Sequence, residues 1–274
     1  MNLNLCFIGG GHMARSLIGG LIARGAPGER ICVADPVAAQ LESLRKEYGV
    51  RTTHDNLAAA GPADVVILAV KPQELRTVAM QLRPALEVRP RLLISIAAGI
   101  RASDIRRWTG GGPVVRCMPN RPALQGCGVT GLFASADVDA DGRRTAEEIL
   151  GPVGETVWLN RESDMDAVTA LSGSGPAYFF LLIEMLEQAG VQLGLSPEVS
   201  RTLAVETAFG SGCMARAAGE SPATLREQVT SKGGTTEAAL KHLEAHDVRA
   251  LFRQAVFAAA RRSAELAEEF GRTP

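Results

Sequence analysis

Residues 8–14, Ile-Gly-Gly-Gly-His-Met-Ala, constrain this chain more than any other stretch. They follow a short apolar run with a β-rich end (3–8) and open a helical pattern (13–25). A plain strand-to-helix turn rarely needs three consecutive glycines. In Gly9-x-Gly11-x-x-Ala14, Gly9 permits a tight turn and Gly11 lets the backbone approach a pyrophosphate. Ala14 keeps the helix close to the sheet, and the helix N-terminus then faces the phosphates. The turn predicts a dinucleotide-binding βαβ unit at the front of the chain.

The residues that follow agree with that reading. Apolar runs at 30–35, 64–70 and 91–97 read as strands, the last two covered on both faces. Helical spacing at 37–48 and 73–86 alternates with them, which implies a parallel sheet with right-handed crossovers. Residues 113–118 and 128–135 add two strands; no helix precedes the second, so an antiparallel course is expected for it. The texture changes after residues 155–164, and from Ala167 onward the pattern is helical. A long helix is expected over 176–194, with Pro176 at its first position and Gly194 at its end. Ser196-Pro197 and Ser221-Pro222 start further helices, and 248–270 carries a broad apolar face. Residues 197–218 are rich in Ala, Gly and Ser, so neighbouring helices can pack closely. A helical half with so little core of its own is expected to dimerise.

Two positions at strand ends bear on a cofactor. Asp35 closes the second strand, and two readings of it stay open. Its carboxylate hydrogen-bonds the ribose of NAD and disfavours the 2′-phosphate of NADP, or it caps the helix that follows Pro36. Lys71, in Ala69-Val70-Lys71-Pro72, stands at the carboxyl end of a buried strand, where doubly wound sheets bind ligands.

Bulk properties exclude several classes. A net charge of −1 leaves no electrostatic footprint for nucleic acid or an anionic membrane. The best apolar run, 177–186, falls short of a bilayer span and carries Glu184, and the start lacks a signal peptide's basic n-region. A cytoplasmic protein is expected. The five cysteines include no C-x-x-C and read as buried free thiols. His242 and His246 share a helical face without a third ligand, so no metal site is expected.

Six segments carry a resemblance: IGGGHMA (8–14), AVKP (69–72), SIAAGI (95–100), VRCMPN (115–120), SGSGPAYFF (172–180) and VTSKGGTTEAAL (229–240). Together, in order and over essentially the whole chain, they resemble pyrroline-5-carboxylate reductase. The resemblance implies an NAD(P)-binding Rossmann-type α/β domain over 1–162 and an all-α substrate-binding and dimerisation domain over 163–274. It implies hydride transfer from NADPH, with NADH as the alternative, to C5 of 1-pyrroline-5-carboxylate, the last step of proline synthesis. It also implies a homodimer through the helical domain, with a decamer of five dimers as a further assembly. Carried over residue by residue, Ile8, Gly9, Gly10, Gly11, His12 and Met13 surround the pyrophosphate. Ala69, Val70, Lys71 and Pro72 lie along the ribose-nicotinamide side, Asn56 contacts the adenosine ribose or its phosphate, and Met118 and Asn120 complete the cofactor set. His12 stands where the family usually has Asn or Gln, Arg121 replaces a usual Thr, and Lys232 a frequent Pro.

The chemistry makes two demands on the helical half: an anchor for the substrate carboxylate, and a proton for the ring nitrogen. A glycine-flanked helix N-terminus meets the first with backbone N–H groups and the helix dipole. Ser231, Gly233, Gly234 and Thr235, leading into a helix that begins near Thr236, have this form. The resemblance assigns the loop to the carboxylate and Thr236 to the ring nitrogen. Gly173, Ser174 and Gly175 of SGSGPA read as a second helix start beside the substrate. Two other functions compete. A β-hydroxyacid-dehydrogenase-like enzyme needs a lysine in the helical half, where Lys232 and Lys241 are the choices; a non-catalytic dinucleotide sensor needs no intact Thr236.

Overall fold

The computed structural model describes residues 3–272. Strands β1 (Leu5–Ile8), β2 (Ile31–Ala34), β3 (Arg51–Thr53), β4 (Val65–Leu68), β5 (Leu92–Ser95), β6 (Val114–Met118), β7 (Gly128–Ala134) and β8 (Gly154–Trp158) form one sheet in the order 3-2-1-4-5-6-7-8. β1 to β6 run parallel, and β7 turns back antiparallel to β6, as the missing helix before it requires. β8 runs parallel to β7. Helices α1 (His12–Ala23), α2 (Ala38–Tyr48), α3 (Asn56–Ala60), α4 (Pro72–Val88), α5 (Ala102–Thr109) and α6 (Ala140–Leu150) make the crossovers.

Successive side chains of a strand point to opposite faces, and both faces here are covered. Leu5 and Phe7 pack with α1, α2 and α6 residues such as Leu17, Leu44 and Ile149. Cys6 and Ile8 pack on the other side with Ala59, Leu75 and Ile105 of α3, α4 and α5. Burial pushes the Cys6 and Cys117 thiols far up from the ordinary range, so neither is a nucleophile. Cys32 is also buried, whereas Cys127 and Cys213 are exposed, against the expectation that the thiols are generally buried.

The sequence reading does not contain the two edge strands. β3 is three residues long and polar, without an apolar period to detect. β8 begins at Gly154, whose φ is +149 and where an added Cβ would stand 2.0 Å from the Gly128 carbonyl oxygen. Only glycine lets β8 enter beside β7.

By packing, the chain divides into one unit of residues 1–174 with 259–274, and a second of residues 175–258. The first therefore includes helix α7 (Met165–Val168), the turn Thr169–Gly173 and the end of the last helix, α12 (Val248–Arg272). Within that unit, Ser263 hydroxyl and Asp166 carboxylate lie 2.7 Å apart, and Phe270 rests where a side chain on Gly99 would stand. The sequence reading groups these segments with the helical half; their long-range packing joins them to the sheet.

The second unit holds α8 (Gly175–Gln192), α9 (Pro197–Ala217), α10 (Pro222–Gln228), α11 (Thr235–Ala245) and the first part of α12. The Ser196 and Ser221 hydroxyls cap α9 and α10 by accepting from the Val199 and Thr224 amides. α8 and α9 pack so closely that a Cβ on Gly190 would stand 2.7 Å from the Ser200 hydroxyl. Apart from Ser200 and Ala204, α9 buries nothing, and Phe179, Phe180, Met185, Leu203 and Phe209 remain exposed.

Candidate active site

The carboxyl ends of the parallel strands gather most of the predicted cofactor residues. Gly9 leaves β1 at φ +102, a conformation that favours glycine. Its amide donates to the Ala34 carbonyl at 2.8 Å, and an added Cβ would stand 2.6 Å from the Ala69 oxygen. The turn after β1 is thus pressed against the exit of β4, which brings Gly9 together with Ala69 and Val70. Gly11 is the cap residue of α1, and a Cβ there would meet nothing within 4 Å. No side chain caps α1 either, and its first-turn amides have no intrahelical acceptor. Ala14 is buried as its role requires, His12 is exposed, and Met13 is half-buried. This cradle fits a dinucleotide pyrophosphate.

Of the two readings of Asp35, the structure bears on the helix cap. The cap position of α2 is Val37, so Asp35 is not the N-cap. One carboxylate oxygen accepts from the Gly10 amide at 2.7 Å and the other from the Val37 amide at 2.8 Å. The side chain therefore ties the glycine turn to the exit of β2. Asn56 begins α3 behind the capping Asp55, and its amide donates to Gln81. Lys71 is exposed at the cap position of α4, with Pro72 at the helix start.

Met118, at the end of β6, and Asn120, just after it, meet the SGSG segment. The Asn120 side-chain amide donates to the Ser172 carbonyl at 3.1 Å, and its oxygen accepts from the Val129 amide at 2.9 Å. The Met118 methyl fills the space beside Gly173, 2.6 Å from where a Cβ would stand. α8 starts at Gly175, at the helix start expected of SGSGPA, but it is not preceded by a loop. Residues Thr169–Gly173 form a π-helical turn, closed by the Ser174 amide on the Thr169 carbonyl at 2.8 Å, between α7 and α8 in the helical span Glu162–Gln192. That span is long and apolar enough to cross a membrane by length and composition, which the apolar run alone did not reveal. What the sequence does not show is the π turn that leads into that start, and π turns are frequent at functional sites. Glu162, on the same connector, accepts from the Ala102 amide at 2.7 Å and from buried Arg116 at 3.2 Å.

The second set of predicted residues lies in the helical unit. Gly233 adopts φ +75, and the Gly234 amide donates to the Ser231 carbonyl at 3.0 Å, closing the turn. Gly234 is the cap residue of α11 and brings no side chain to the helix end; Thr235 is the first helical residue and Thr236 the second. Both threonines are exposed, as are Ser231, Lys232 and Gly233. The sequence reading missed Glu237, whose carboxylate accepts from the Gly233 amide at 2.8 Å and pairs with Lys241 at 3.3 Å. The Gly233 amide, then Lys241, hold its carboxyl below the usual range. The signal was a glutamate three residues beyond the cap, the spacing of a capping box.

Comparison with known proteins places this arrangement. Residues 162–266 match the model of the pyrroline-5-carboxylate reductase dimerisation domain. Residues 4–99 match that of coenzyme F420-dependent NADP oxidoreductases. Pyrroline-5-carboxylate reductase of Pseudomonas aeruginosa is 48% identical, over 97% of this chain and 98% of that one. The Haemophilus influenzae enzyme is 42% identical, over 96% and 97%. The Coxiella burnetii reductase structure superposes with a TM-score of 0.93 at 43% identity, over 97% of this chain and 99% of that one. A Plasmodium falciparum pyrroline carboxylate reductase structure with NADP bound gives 0.85 at 30% identity, over 97% and 98%. With a dinucleotide cradle on one unit, a glycine-turned helix start on the other, and near-complete coverage by these relatives, the chain belongs to the pyrroline-5-carboxylate reductase family.

Proposed function

We propose that the two glycine turns of this chain divide the work of one reduction. As a member of its family the chain is an oxidoreductase of proline biosynthesis that reduces 1-pyrroline-5-carboxylate to proline. When bound, a nicotinamide cofactor supplies the hydride that adds to C5 of the cyclic imine. The turn at Gly9–Met13 holds its pyrophosphate with helix-terminal amides, with Ala69 to Pro72 along the ribose beyond it. Met118 and Asn120 brace that side through the π turn. NADPH is the proposed cofactor, with NADH as the alternative.

The observation that carries the substrate half is the turn Ser231–Thr235: a left-handed Gly233 and a bare Gly234 cap open a helix with no side-chain cap on its first turn. Such an end favours an anion, here the substrate carboxylate. The chain's remaining task is to deliver a proton to the ring nitrogen as it becomes an amine. Thr236, on the first turn of α11, is the proposed donor or relay, with Gly173, Ser174 and Gly175 leaving room for the ring. The exposed apolar side chains of the helical unit support a homodimer, with five dimers in a decamer as the larger assembly. Free cysteines support a reduced, cytoplasmic setting.

Turnover tests the reading. Purified protein with NADPH and 1-pyrroline-5-carboxylate is expected to oxidise the cofactor and yield proline stoichiometrically. No oxidation with that substrate, alongside reduction of NADP by a β-hydroxyacid, would replace it with the rival dehydrogenase; binding without any turnover would leave a sensor.

A further inference from the structure

The adenosine end of the proposed cofactor site presents a puzzle. The acidic residue at the end of β2 is the usual reader of the ribose 2′ position, but Asp35 is only 8% exposed and spends both oxygens on the Gly10 and Val37 amides. No cation follows it through Gln40, the stretch Asp35-Pro36-Val37-Ala38-Ala39-Gln40. His54, at the exit of β3, is tied directly to the end of β2. Its Nδ1 lies 2.9 Å from the Asp35 carbonyl oxygen. A carbonyl can only accept, so Nδ1 carries a proton and the tautomer is fixed. Nε2 is left to face outward from an exposed ring. As a neutral ring it accepts from a hydroxyl; as a cation it donates to a phosphate.

We propose that His54, not Asp35, reads the 2′ position of the cofactor and favours the 2′-phosphate, resting on the NADPH reading above. Asp35 acts through the backbone: it anchors the Gly10 amide of the phosphate turn and, by its own carbonyl, orients the imidazole. The surroundings of His54 are mixed in charge. Glu42 and Arg45 of α2 line the same hollow, and the Asp55 carboxylate is taken up by the Leu57 and Ala58 amides. Arg45 is a second basic group in the hollow, but His54 is the one whose ring is held at the strand exits, by the Asp35 carbonyl.

Calorimetric titration of the full-length protein with 2′,5′-ADP and with 5′-AMP tests this without catalysis. The wild type is expected to bind 2′,5′-ADP more tightly. His54→Gln should cut that preference about tenfold by removing a charge-assisted hydrogen bond, with 5′-AMP affinity nearly unchanged. His54→Lys should keep the preference. Asp35→Asn should weaken both nucleotides together and leave their ratio in place. An unchanged ratio in His54→Gln, with both nucleotides still bound, would overturn the role of His54 alone, as would a ratio that moves only with Asp35. Failure of the wild type to bind either nucleotide would instead remove the cofactor site itself.

Discussion

Gly9→Ala is expected to abolish dinucleotide binding and to destabilise the first unit by about 3 kcal/mol or more. Backbone held at φ +102 costs a non-glycine residue on the order of 1–3 kcal/mol. The new methyl would also stand 2.6 Å from the Ala69 carbonyl oxygen, a backbone atom that cannot swing aside. Relief requires the turn to leave β4 or β4 to shift, and either moves the helix start proposed to hold the pyrophosphate. Denaturant unfolding followed by nucleotide titration measures both effects. Gly11→Ala is the control, because its Cβ meets nothing within the protein. It should leave stability nearly unchanged and weaken the nucleotide only. Equal stability losses in the two variants would refute the packing argument.

Thr236→Ala is expected to lower kcat about a hundredfold, the lower end of what positioned proton transfer contributes, while NADPH affinity stays within about twofold. The side chain is exposed on the first turn of α11, and hydrogen bonds in the structure are built without it: the turn is closed by Ser231 and Gly234 and buttressed by Glu237. Folding should therefore survive the change. Thr236→Ser, which keeps the hydroxyl, should restore most of the rate. A kcat unchanged in Thr236→Ala would take that residue out of the chemistry.

Much of the first unit was legible in the sequence because its constraints are local. A glycine turn between strand and helix has few other uses, and β4 and β5 are apolar on both faces since helices cover both. The antiparallel β7 followed from the lack of a crossover helix before it. What escaped depended on partners distant in the chain. β3 and β8 are edge strands held by their neighbours rather than by their own pattern. The π turn at Thr169–Gly173 is fixed in part by Asn120, far back in the chain, and composition shows only the helix start that follows it. Asp35 offered two plausible roles from its position, and neither anticipated that the Gly10 amide would claim it. In the second turn the glycines and threonines were legible, whereas the Glu237 carboxylate on the Gly233 amide was hidden in an ordinary helical residue.

The central claim is that the Ser231–Thr235 turn takes the substrate's carboxylate while the Gly9–Met13 turn takes the cofactor. Steady-state reduction of 1-pyrroline-5-carboxylate compared with 1-pyrroline, which lacks only the carboxylate, tests it most directly. Wild-type kcat/KM should fall at least about a hundredfold on losing that group, the equivalent of roughly 3 kcal/mol of charge-assisted hydrogen bonding. In Gly234→Pro, which removes the amide that closes the turn on the Ser231 carbonyl, the two substrates should converge. Equal kcat/KM for both substrates in the wild type, or an undiminished difference in the variant, would contradict the account.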